Sequence, residues 1–334
     1  MTLPPAATIH PRVVVTGGAG FIGSHLVERL LADGKAVTVI DDCSTGSLDN
    51  LEAVRGHPRL RVIVAKVSQT AELPALLAGA ETVFHLAAAV GVELVVRSPV
   101  HVLETNLHET EAVLHAATLH GTPVVLASTS EVYGRSAKAS FSEDDDLLIG
   151  PPTCARWGYA CSKLMDEFMA LAAAKERGLP VVIARLFNTV GPRQTGRYGM
   201  VLPRFLAAAK AGLPLRVYGD GTQTRCFCHV ADTVEALMRL ARNPEARSRV
   251  FNVGSTEEIS IRGLAERIIA RLQSASTLVL VPYNEAYEVG FEDMERRRPA
   301  VEKLARVTGF RPQTTLDRII ELTARDTTGS TKGG

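Results

Sequence analysis

The sequence has no surplus of either charge and no long hydrophobic run. Its 334 residues contain 37 lysines and arginines against 36 aspartates and glutamates. This balance gives no electrostatic reason to expect nucleic acid or a membrane as the partner. No apolar run is long enough to cross a bilayer, and Met1–Pro11 lacks the basic start and apolar stretch of a signal peptide. We therefore expect a cytoplasmic protein.

Cysteine is scarce and irregularly spaced. The five cysteines are odd in number, which suits a reducing compartment better than a disulfide framework. Cys226 and Cys228 could be mistaken for half of a metal site, but no second cysteine pair or well-placed histidine accompanies them. We expect buried thiols on strands here, and no metal.

The composition, 46% apolar and 22% charged, is that of a globular protein. Along the chain, short apolar runs alternate with helical segments. The predicted strands lie near 12–16, 36–41, 60–65, 82–87, 123–128 and 180–186, and the predicted helices near 21–33, 100–119 and 157–177. This alternation predicts an α/β fold with a Rossmann-type doubly wound parallel sheet. Such a sheet binds its ligands at the carboxyl ends of the strands.

Beyond Asn188 the pattern breaks into shorter pieces interrupted by proline, which predict a smaller α/β substrate domain. A helix near 230–242 and a strand at 250–253 could return to the large sheet. The predicted division is a Rossmann domain of residues 1–187, joined by 228–258, and a substrate domain of 188–227 and 259–325. The polar, glycine-rich residues 326–334 are expected to be disordered.

Three glycines stand at the turn between the first predicted strand and the first predicted helix. Gly17 permits a tight turn, Gly20 lets a phosphate approach the backbone, and Gly23 lets helix and strand pack closely. The backbone amides and the positive end of the helix can hold a pyrophosphate there. The second strand ends at Asp41, 18 residues after Gly23, where a carboxylate can accept both ribose hydroxyls of NAD. This order of elements predicts an NAD site.

A second motif carries the chemistry of a base. Tyr159 and Lys163 stand at i and i+4, hence on one face of a helix. A nearby positive charge lowers the pKa of a tyrosine, and a phenolate can take a proton from a sugar hydroxyl. Taken alone, the pattern could also be a surface helix pair. The hydroxyls of residues 128–130 follow the strand that ends at Leu126, where they can face a ligand or form an ordinary turn.

These motifs together resemble the extended short-chain dehydrogenase/reductases that act on nucleotide sugars. The resemblance runs from about residue 12 to about residue 322 and rests on Gly17–Gly23, His85–Ala88, Ser128–Ser130, the Tyr159/Lys163 pair, Arg185–Asn188 and Gly219–Arg225. It implies a tightly retained NAD, a UDP-sugar substrate in the smaller domain, and a homodimer built on a four-helix bundle.

The resemblance also implies roles for individual residues. Tyr159 would act as the base, Lys163 would lower its pKa and bind the nicotinamide ribose, and Thr129 would bond O4 of the sugar. Ser130 and Glu131 complete the predicted catalytic set. NAD contacts are expected from Gly17, Gly20, Phe21, Ile22, Gly23, Asp41, Asp42, Ser44, Thr45, Gly46, Val67, Leu86, Ala87, Ala88, Asn106, Ser128, Tyr159 and Lys163.

Substrate contacts are expected from Val90, Thr129, Ser130, Asn188, Thr189, Arg193, Arg197, Val201, Leu202, Phe205, Val217, Tyr218 and Arg225. One of Arg297 and Arg298 should join on the pyrophosphate, unless this basic stretch is a solvated turn. Val217 and Tyr218 could equally be core residues of a strand.

The sequence departs from the pattern of its relatives at Lys66, which stands where they carry an acid that caps the adenine amino group. A lysine cannot accept that hydrogen bond.

The resemblance implies oxidation of the sugar at C4 to a ketone, followed by 4-epimerisation, decarboxylation or dehydration. Glu131 lies in a turn similar to that of UDP-glucuronate decarboxylases, and the Ser130–Glu131 pair argues against dehydration. The loop 191–201 resembles that of bacterial UDP-sugar 4-epimerases, including glucuronate 4-epimerases of the moenomycin-pathway type. Arg197, with Thr189 nearby, is expected to hold the carboxylate out of the alignment that decarboxylation needs. A phosphate contact or a surface position is the alternative for this arginine.

We therefore favour the interconversion of UDP-glucuronate and UDP-galacturonate through a 4-keto intermediate. The alternatives are a UDP-glucuronate decarboxylase and, after it, a UDP-glucose 4-epimerase. An NAD-binding regulator without turnover is the alternative outside enzymes. Such proteins tend to lose the tyrosine or the lysine, and this chain keeps both.

Overall fold

The computed structural model describes residues 10–196, 200–282, 285 and 294–325. The strands are β1 (Arg12–Thr16), β2 (Ala36–Asp41), β3 (Leu60–Val64), β4 (Thr82–His85), β5 (Val124–Thr129), β6 (Val181–Leu186), β7 (Thr189–Val190), β8 (Leu215–Tyr218), β9 (Thr224–Cys226), β10 (Cys228–His229), β11 (Arg249–Val253), β12 (Glu258–Ser260), β13 (Leu278–Val281) and β14 (Arg296–Arg297). Cys226 and Cys228 are buried strand thiols.

The helices are α1 (Phe21–Ala32), α2 (Leu73–Leu77), α3 (Val92–Arg97), α4 (Pro99–His120), α5 (Arg156–Arg177), α6 (Val201–Lys210), α7 (Val230–Arg242), α8 (Ile261–Leu272), α9 (Glu302–Thr308) and α10 (Leu316–Arg325). Short 3-10 helices cover Leu48–Val54, Val67–Gln69, Ser130–Tyr133 and Pro244–Ala246. No helix in the described part of the chain is long and apolar enough to span a bilayer.

Seven parallel strands form the central sheet in the order β11-β6-β5-β4-β1-β2-β3. The predicted doubly wound parallel sheet is confirmed. The strand order reverses between β1 and β4, and the crevice beyond such a reversal is where ligands bind. The predicted strand near 250–253 is β11, which pairs with β6 and extends the sheet by one strand.

Helices cover both faces of the sheet, which explains the continuous apolar runs of its strands. In β1, Val13 and Val15 face a core shared with α1 and α7, whereas Val14 faces a core shared with α2, α4 and α5. The β-branched side chains suit this pleated, buried surface.

A second, smaller core lies beyond the sheet. Leu202 and Leu206 of α6, Leu264 and Ile268 of α8, and Ile319 of α10 are packed together in it. Part of the predicted substrate segment 259–325 lies elsewhere. Leu304 of α9 is buried in the core of the large sheet, because α9 packs against α7 and β11. The two-domain division stays a prediction, and its tail 326–334 lies outside the described residues.

A buried ion pair ties α5 to β6. The guanidinium of Arg185 donates to both carboxylate oxygens of Glu167, from Nε at 3.0 Å and from the Nη2 nitrogen at 2.8 Å. Ser128 of β5 donates to the same carboxylate at 2.5 Å. Arg185 and Glu167 are almost completely buried, so either charge left alone would be costly.

We predict that Arg185→Met lowers the free energy of unfolding by about 3–5 kcal/mol, because it leaves Glu167 as an uncompensated buried charge. Arg262→Met is the matched control, since the Arg262–Glu266 pair is mostly exposed on α8. Removal of such an exposed pair costs about 0–1 kcal/mol. Chemical denaturation of the two variants measures both values, and equal small losses would contradict the prediction.

Candidate active site

A single cavity runs along the carboxyl ends of the central strands and continues to the smaller core. At the sheet it is lined by residues that follow successive strands, among them Gly17 after β1, Asp42 after β2 and Leu86 after β4. At the far end its wall includes Leu202, Tyr218 and Arg225. The residues that bind the two ends of a long ligand therefore face one continuous space.

The glycine turn after β1 leaves no room for side chains. Gly17 has φ of +71°, and a Cβ on it would lie 2.7 Å from the amide nitrogen of Ala87. A Cβ on Gly23 would lie 2.1 Å from the carbonyl oxygen of Gly17. Helix α1 can therefore begin at the cavity, with Gly20 as its N-cap. Unpaired amides at such a helix start suit a pyrophosphate.

Asp41 is fixed where β2 meets the cavity. Its carboxylate accepts hydrogen bonds from the amides of Ala19 and Cys43, each at 2.8 Å. Burial raises the pKa of Asp41, and these amides act against that shift. Together with the glycine cradle, this anchored carboxylate fits the pyrophosphate and ribose of NAD.

The cavity continues past Asp41 to residues 65–67, because β3 pairs with β2. Val67 lines it there, and so does Lys66. Glu109 of α4 also lines it, and this carboxylate accepts hydrogen bonds from the amide of Ser68 at 2.9 Å and from its hydroxyl at 2.6 Å. No local pattern in the sequence points to Glu109, because this acid comes from a helix distant in the chain.

The predicted catalytic residues meet in the middle of the cavity. Tyr159 and Lys163 of α5 line it with residues 129–131, which follow β5. The Nη1 nitrogen of Arg297 lies 3.3 Å from Oε1 of Glu131. The hydroxyl of Thr129 accepts from the amide of Glu131 at 3.2 Å, which fixes the turn. A phenol, an ammonium and a carboxylate paired with a guanidinium thus face the same space.

The expected effect of Lys163 on Tyr159 stays a prediction. Burial raises the pKa of Tyr159 above its ordinary value, and the charge of Glu131 adds to the rise, whereas a hydrogen bond with Thr129 opposes it. The ammonium of Lys163 pairs with Asp166 at 2.8 Å, and the charge of Asp166 also raises the pKa of Tyr159. The cation that is expected to favour the phenolate thus has a buried anion beside it.

The substrate end of the cavity contains a pair of adjacent arginines. Strands β9 and β14 pair in parallel with Arg225 opposite Arg297, and both residues line the cavity. The guanidinium of Arg204 lies 4.2 Å from the ring centre of Tyr218, which also lines it. Asn188 lines the same region, where its side-chain amide donates to the carbonyl of Cys226 at 3.1 Å. Neighbouring guanidinium groups suit a diphosphate.

Most predicted site residues line this cavity. Those placed at its wall are Gly17, Gly20, Phe21, Ile22, Gly23, Asp41, Asp42, Ser44, Thr45, Val67, Leu86, Ala87, Ala88, Val90, Ser128, Thr129, Ser130, Glu131, Tyr159, Lys163, Asn188, Thr189, Val201, Leu202, Tyr218, Arg225 and Arg297.

Several predicted substrate residues lie elsewhere. Phe205 and Val217 are buried in the smaller core, because their side chains point away from the cavity into the packing of α6 and β8. Arg193 pairs with Glu28 of α1 at 2.6 Å, which directs it away from the cavity. Arg298 does not line the cavity, whereas Arg297 does. Arg197 lies outside the described residues.

Two predicted cofactor residues support the cavity from behind its wall. Gly46 packs against the backbone of Ala19, since a Cβ on it would lie 2.8 Å from the carbonyl there. The side-chain oxygen of Asn106 accepts from the amide of Ala89 at 2.8 Å. These residues fix the shape of the backbone that faces the cavity.

Sequence reasoning assigned no contact to several polar residues at the wall. They include Lys66, which was noted only as a departure, and Glu109, Arg156, Gln194, Arg204 and Gln223. Arg156 could have been found, because it stands one helical turn before Tyr159 on the same face of α5.

Comparison with known proteins shows which enzymes this chain is similar to. The model of the NAD dependent epimerase/dehydratase family matches residues 13–254. The chain is 41% identical over 302 residues to the UDP-N-acetyl-alpha-D-glucosaminuronate decarboxylase of Bacillus cytotoxicus, covering 90% of this chain and 92% of the relative. It is 34% identical to UDP-glucuronic acid decarboxylase 6 of Arabidopsis thaliana, covering 94% and 88%.

Solved structures resemble the fold over nearly the whole chain. The UDP-N-acetylglucosamine 4-epimerase of Methanobrevibacter ruminantium aligns with a TM-score of 0.84 and 29% identity, covering 94% of this chain and 97% of that one. The dTDP-glucose 4,6-dehydratase DesIV of Streptomyces venezuelae, solved with NAD bound, aligns with a TM-score of 0.82 and 30% identity, covering 94% and 96%.

We predict that Gly23→Ala abolishes retention of NAD, because the new Cβ would displace α1 from the carbonyl of Gly17. Gly56→Ala is the control, since a Cβ at Gly56 meets nothing within 4 Å. The NAD content of the purified proteins, measured after denaturation, checks both. Full NAD occupancy in Gly23→Ala would contradict the role of this close contact.

Proposed function

The chain belongs to the NAD dependent epimerase/dehydratase family and uses NAD, and from this premise we propose that it decarboxylates a UDP-uronate. The similarity to two UDP-uronate decarboxylases supports this proposal, and the single observation that carries it is the 41% identity over 90% of the chain. The adjacent arginines Arg225 and Arg297 support an anionic, diphosphate-bearing substrate.

This proposal replaces 4-epimerisation as the favoured outcome. The sequence-based preference drew on the loop 191–201, and the expected contact of Arg197 stays a prediction, because this residue lies outside the described residues. Glu131, which favoured decarboxylation, lines the cavity together with Tyr159 and pairs with Arg297. The decarboxylase relatives and this position of Glu131 support decarboxylation.

The residues of the cavity can perform the first step as follows. Tyr159, as phenolate, takes the proton of the sugar 4-hydroxyl, and Thr129 beside it can hold the same oxygen. The glycine turn after β1 and Asp41 would hold NAD, which would supply the acceptor for the hydrogen that leaves C4 with its electron pair. The sugar is then a 4-ketone whose C5 carboxylate lies β to the carbonyl.

Loss of carbon dioxide then breaks the bond from C5 to the carboxylate carbon. The electron pair of that bond moves into the carbonyl, so negative charge develops on O4. The phenol of Tyr159, now protonated, can donate a hydrogen bond to this oxygen. A proton from water adds to C5 of the resulting enolate and regenerates the 4-ketone. Reduction of C4 by the hydride that the bound cofactor would supply, with return of the proton from Tyr159 to O4, would give the UDP-pentose.

A 4-epimerase is the second candidate, supported by the likeness to the Methanobrevibacter ruminantium 4-epimerase at a TM-score of 0.84. The two reactions share the ketone and differ in the fate of the carboxylate. Decarboxylation needs the C5–carboxylate bond parallel to the carbonyl π system, whereas an epimerase must hold it out of that alignment.

We predict that the purified protein releases carbon dioxide from UDP-glucuronate or UDP-N-acetylglucosaminuronate in proportion to UDP-pentose formed. Isotope-labelled carboxylate and chromatography of the sugar nucleotides measure both. Formation of the 4-epimer without carbon dioxide would establish the second candidate instead. No turnover and no reduced cofactor with either sugar would point to a regulator that only binds NAD.

We predict that Tyr159→Phe lowers turnover by at least about a thousandfold, because general-base catalysis and stabilisation of charge on O4 are lost together. Its NAD content should stay at the wild-type level, since the glycine turn and Asp41 remain intact. An active Tyr159→Phe protein would remove Tyr159 as the base, whichever product the wild type forms.

A homodimer stays part of the proposal. Helices α4 and α5 pack side by side, and α5 presents an exposed apolar stripe that includes Met165 and Phe168, 50% and 62% exposed. Stripes of this size on a helix pair suit a second copy of the chain.

We predict that Phe168→Glu converts a dimer to a monomer, because it places a charge in the centre of the apolar stripe. Leu213→Glu is the matched control, since Leu213 is 59% exposed but follows α6. Light scattering after gel filtration gives the mass of each. A wild-type monomer, or a dimer that survives Phe168→Glu, would contradict the α4/α5 interface.

A further inference from the structure

Asp166 is a buried carboxylate on α5 that the reaction described above does not use. It stands one helical turn after Lys163, and its Oδ2 accepts a hydrogen bond from Nζ of Lys163 at 2.8 Å. Both side chains are almost completely buried, 3% exposed for Lys163 and 0% for Asp166. The i, i+3 spacing on one helix fixes this pair, so Lys163 enters the cavity with one of its donors already engaged.

Lys163 needs such a partner at this depth. An isolated ammonium removed from water is costly, and a carboxylate in contact compensates the charge. Arg185 of β6, which packs against α5, is already paired with Glu167. The groups that face it are Lys163 and Glu167 on α5 and Thr110 on α4. Behind them lies His85 of β4, whose pKa is lowered to about 3 by burial and by Lys163, so that its ring is neutral.

The charges around Tyr159 include two ion pairs. Thr129 and Glu131 after β5, Asp166 on α5 and Arg297 on β14 act on the phenol, and Lys163 and Arg156 line the cavity from the same helix as Tyr159. Lys163 pairs with Asp166, and Arg297 pairs with Glu131. The negative charge of Asp166 adds to the effects that raise the pKa of Tyr159. Asp166 therefore acts against the effect that the ammonium of Lys163 would have on the phenol.

We propose that Asp166 is a positioning residue of the active site, which holds the ammonium of Lys163 at the cavity on the helix of Tyr159 and compensates part of its charge. The proposal rests on the proposed function of Tyr159 as the base. In this arrangement the negative charge of Asp166 opposes formation of the phenolate.

The test compares three variants of the NAD-loaded enzyme. Asp166→Asn removes the charge and keeps an oxygen acceptor for Lys163. The rising limb of the pH profile of cofactor reduction by UDP-uronate should move to lower pH by about one unit, because loss of a nearby negative charge favours the phenolate. Asp166→Glu keeps the charge and should keep the wild-type limb with a lower kcat. Glu176→Gln removes an exposed carboxylate from the same helix and should change nothing.

The proposal would be overturned if the rising limb of the pH profile did not move in Asp166→Asn, or if it moved equally far in Glu176→Gln. A purely structural Asp166 would lower the melting temperature and the active fraction without moving the limb. Where Asp166→Asn does not fold, Asp166→Ser removes the same charge from a smaller side chain and carries the same expectation.

A second measurement separates this proposal from the proposed function. The phenol of Tyr159 is titrated by tyrosinate absorbance in the NAD-loaded protein, with the matching Tyr159→Phe protein subtracted as the blank. Ionisation at lower pH in Asp166→Asn than in the wild type supports the proposal without any substrate, and identical titrations overturn it. A wild type that reduces no cofactor with UDP-uronates would remove the proposed function and leave this titration valid.

Discussion

The close contact between α1 and the turn after β1 determines where every group in the cavity lies. Gly23 and Gly17 meet with no room for a Cβ, so the helix start lies directly on the edge of the sheet. Because all seven strands run parallel, the same edge receives Asp41 from β2 and Thr129 from β5. The anion-binding end of the helix, the ribose-binding carboxylate and the reacting groups therefore share one line along the sheet.

The centre of the cavity combines deep burial with charge compensation. Tyr159 and Lys163 are both buried, which excludes water from the atoms that exchange protons. Burial alone would make isolated charges costly, and the structure meets this cost with the pairs Lys163–Asp166 and Arg297–Glu131. A third buried pair, Arg185 with Glu167, lies one residue further along α5 and fixes the helix against β6. Helix α5 thus carries both the reacting groups and their supports.

The sequence predicted what local spacing determines. The glycine turn, the strand that ends at Asp41 and the helical face shared by Tyr159 and Lys163 depend on neighbours within one supersecondary unit. Local spacing does not determine which way side chains point in the smaller core. Phe205 and Val217 point inward because α6 and β8 pack there against distant helices.

Contacts between distant segments were also beyond the sequence. Arg193 follows β7 but meets Glu28 of α1, and no local pattern links those positions. The i, i+3 spacing of Lys163 and Asp166 was visible in the sequence. That both side chains are buried and paired, and that Asp166 raises the pKa of Tyr159, is visible only in the structure.

The route of the chain between the large sheet and the smaller core limits how the protein can move. The chain leaves the sheet after β6, returns with α7 and β11, leaves again for α8, and comes back once more with α9, whose Leu304 is buried beneath β11. Several segments of the chain therefore connect the large sheet with the smaller core, whereas a simple hinge has one or two. Any movement of the smaller core relative to the large sheet would have to bend all of these crossings together. Neither body can be excised as a continuous stretch of sequence.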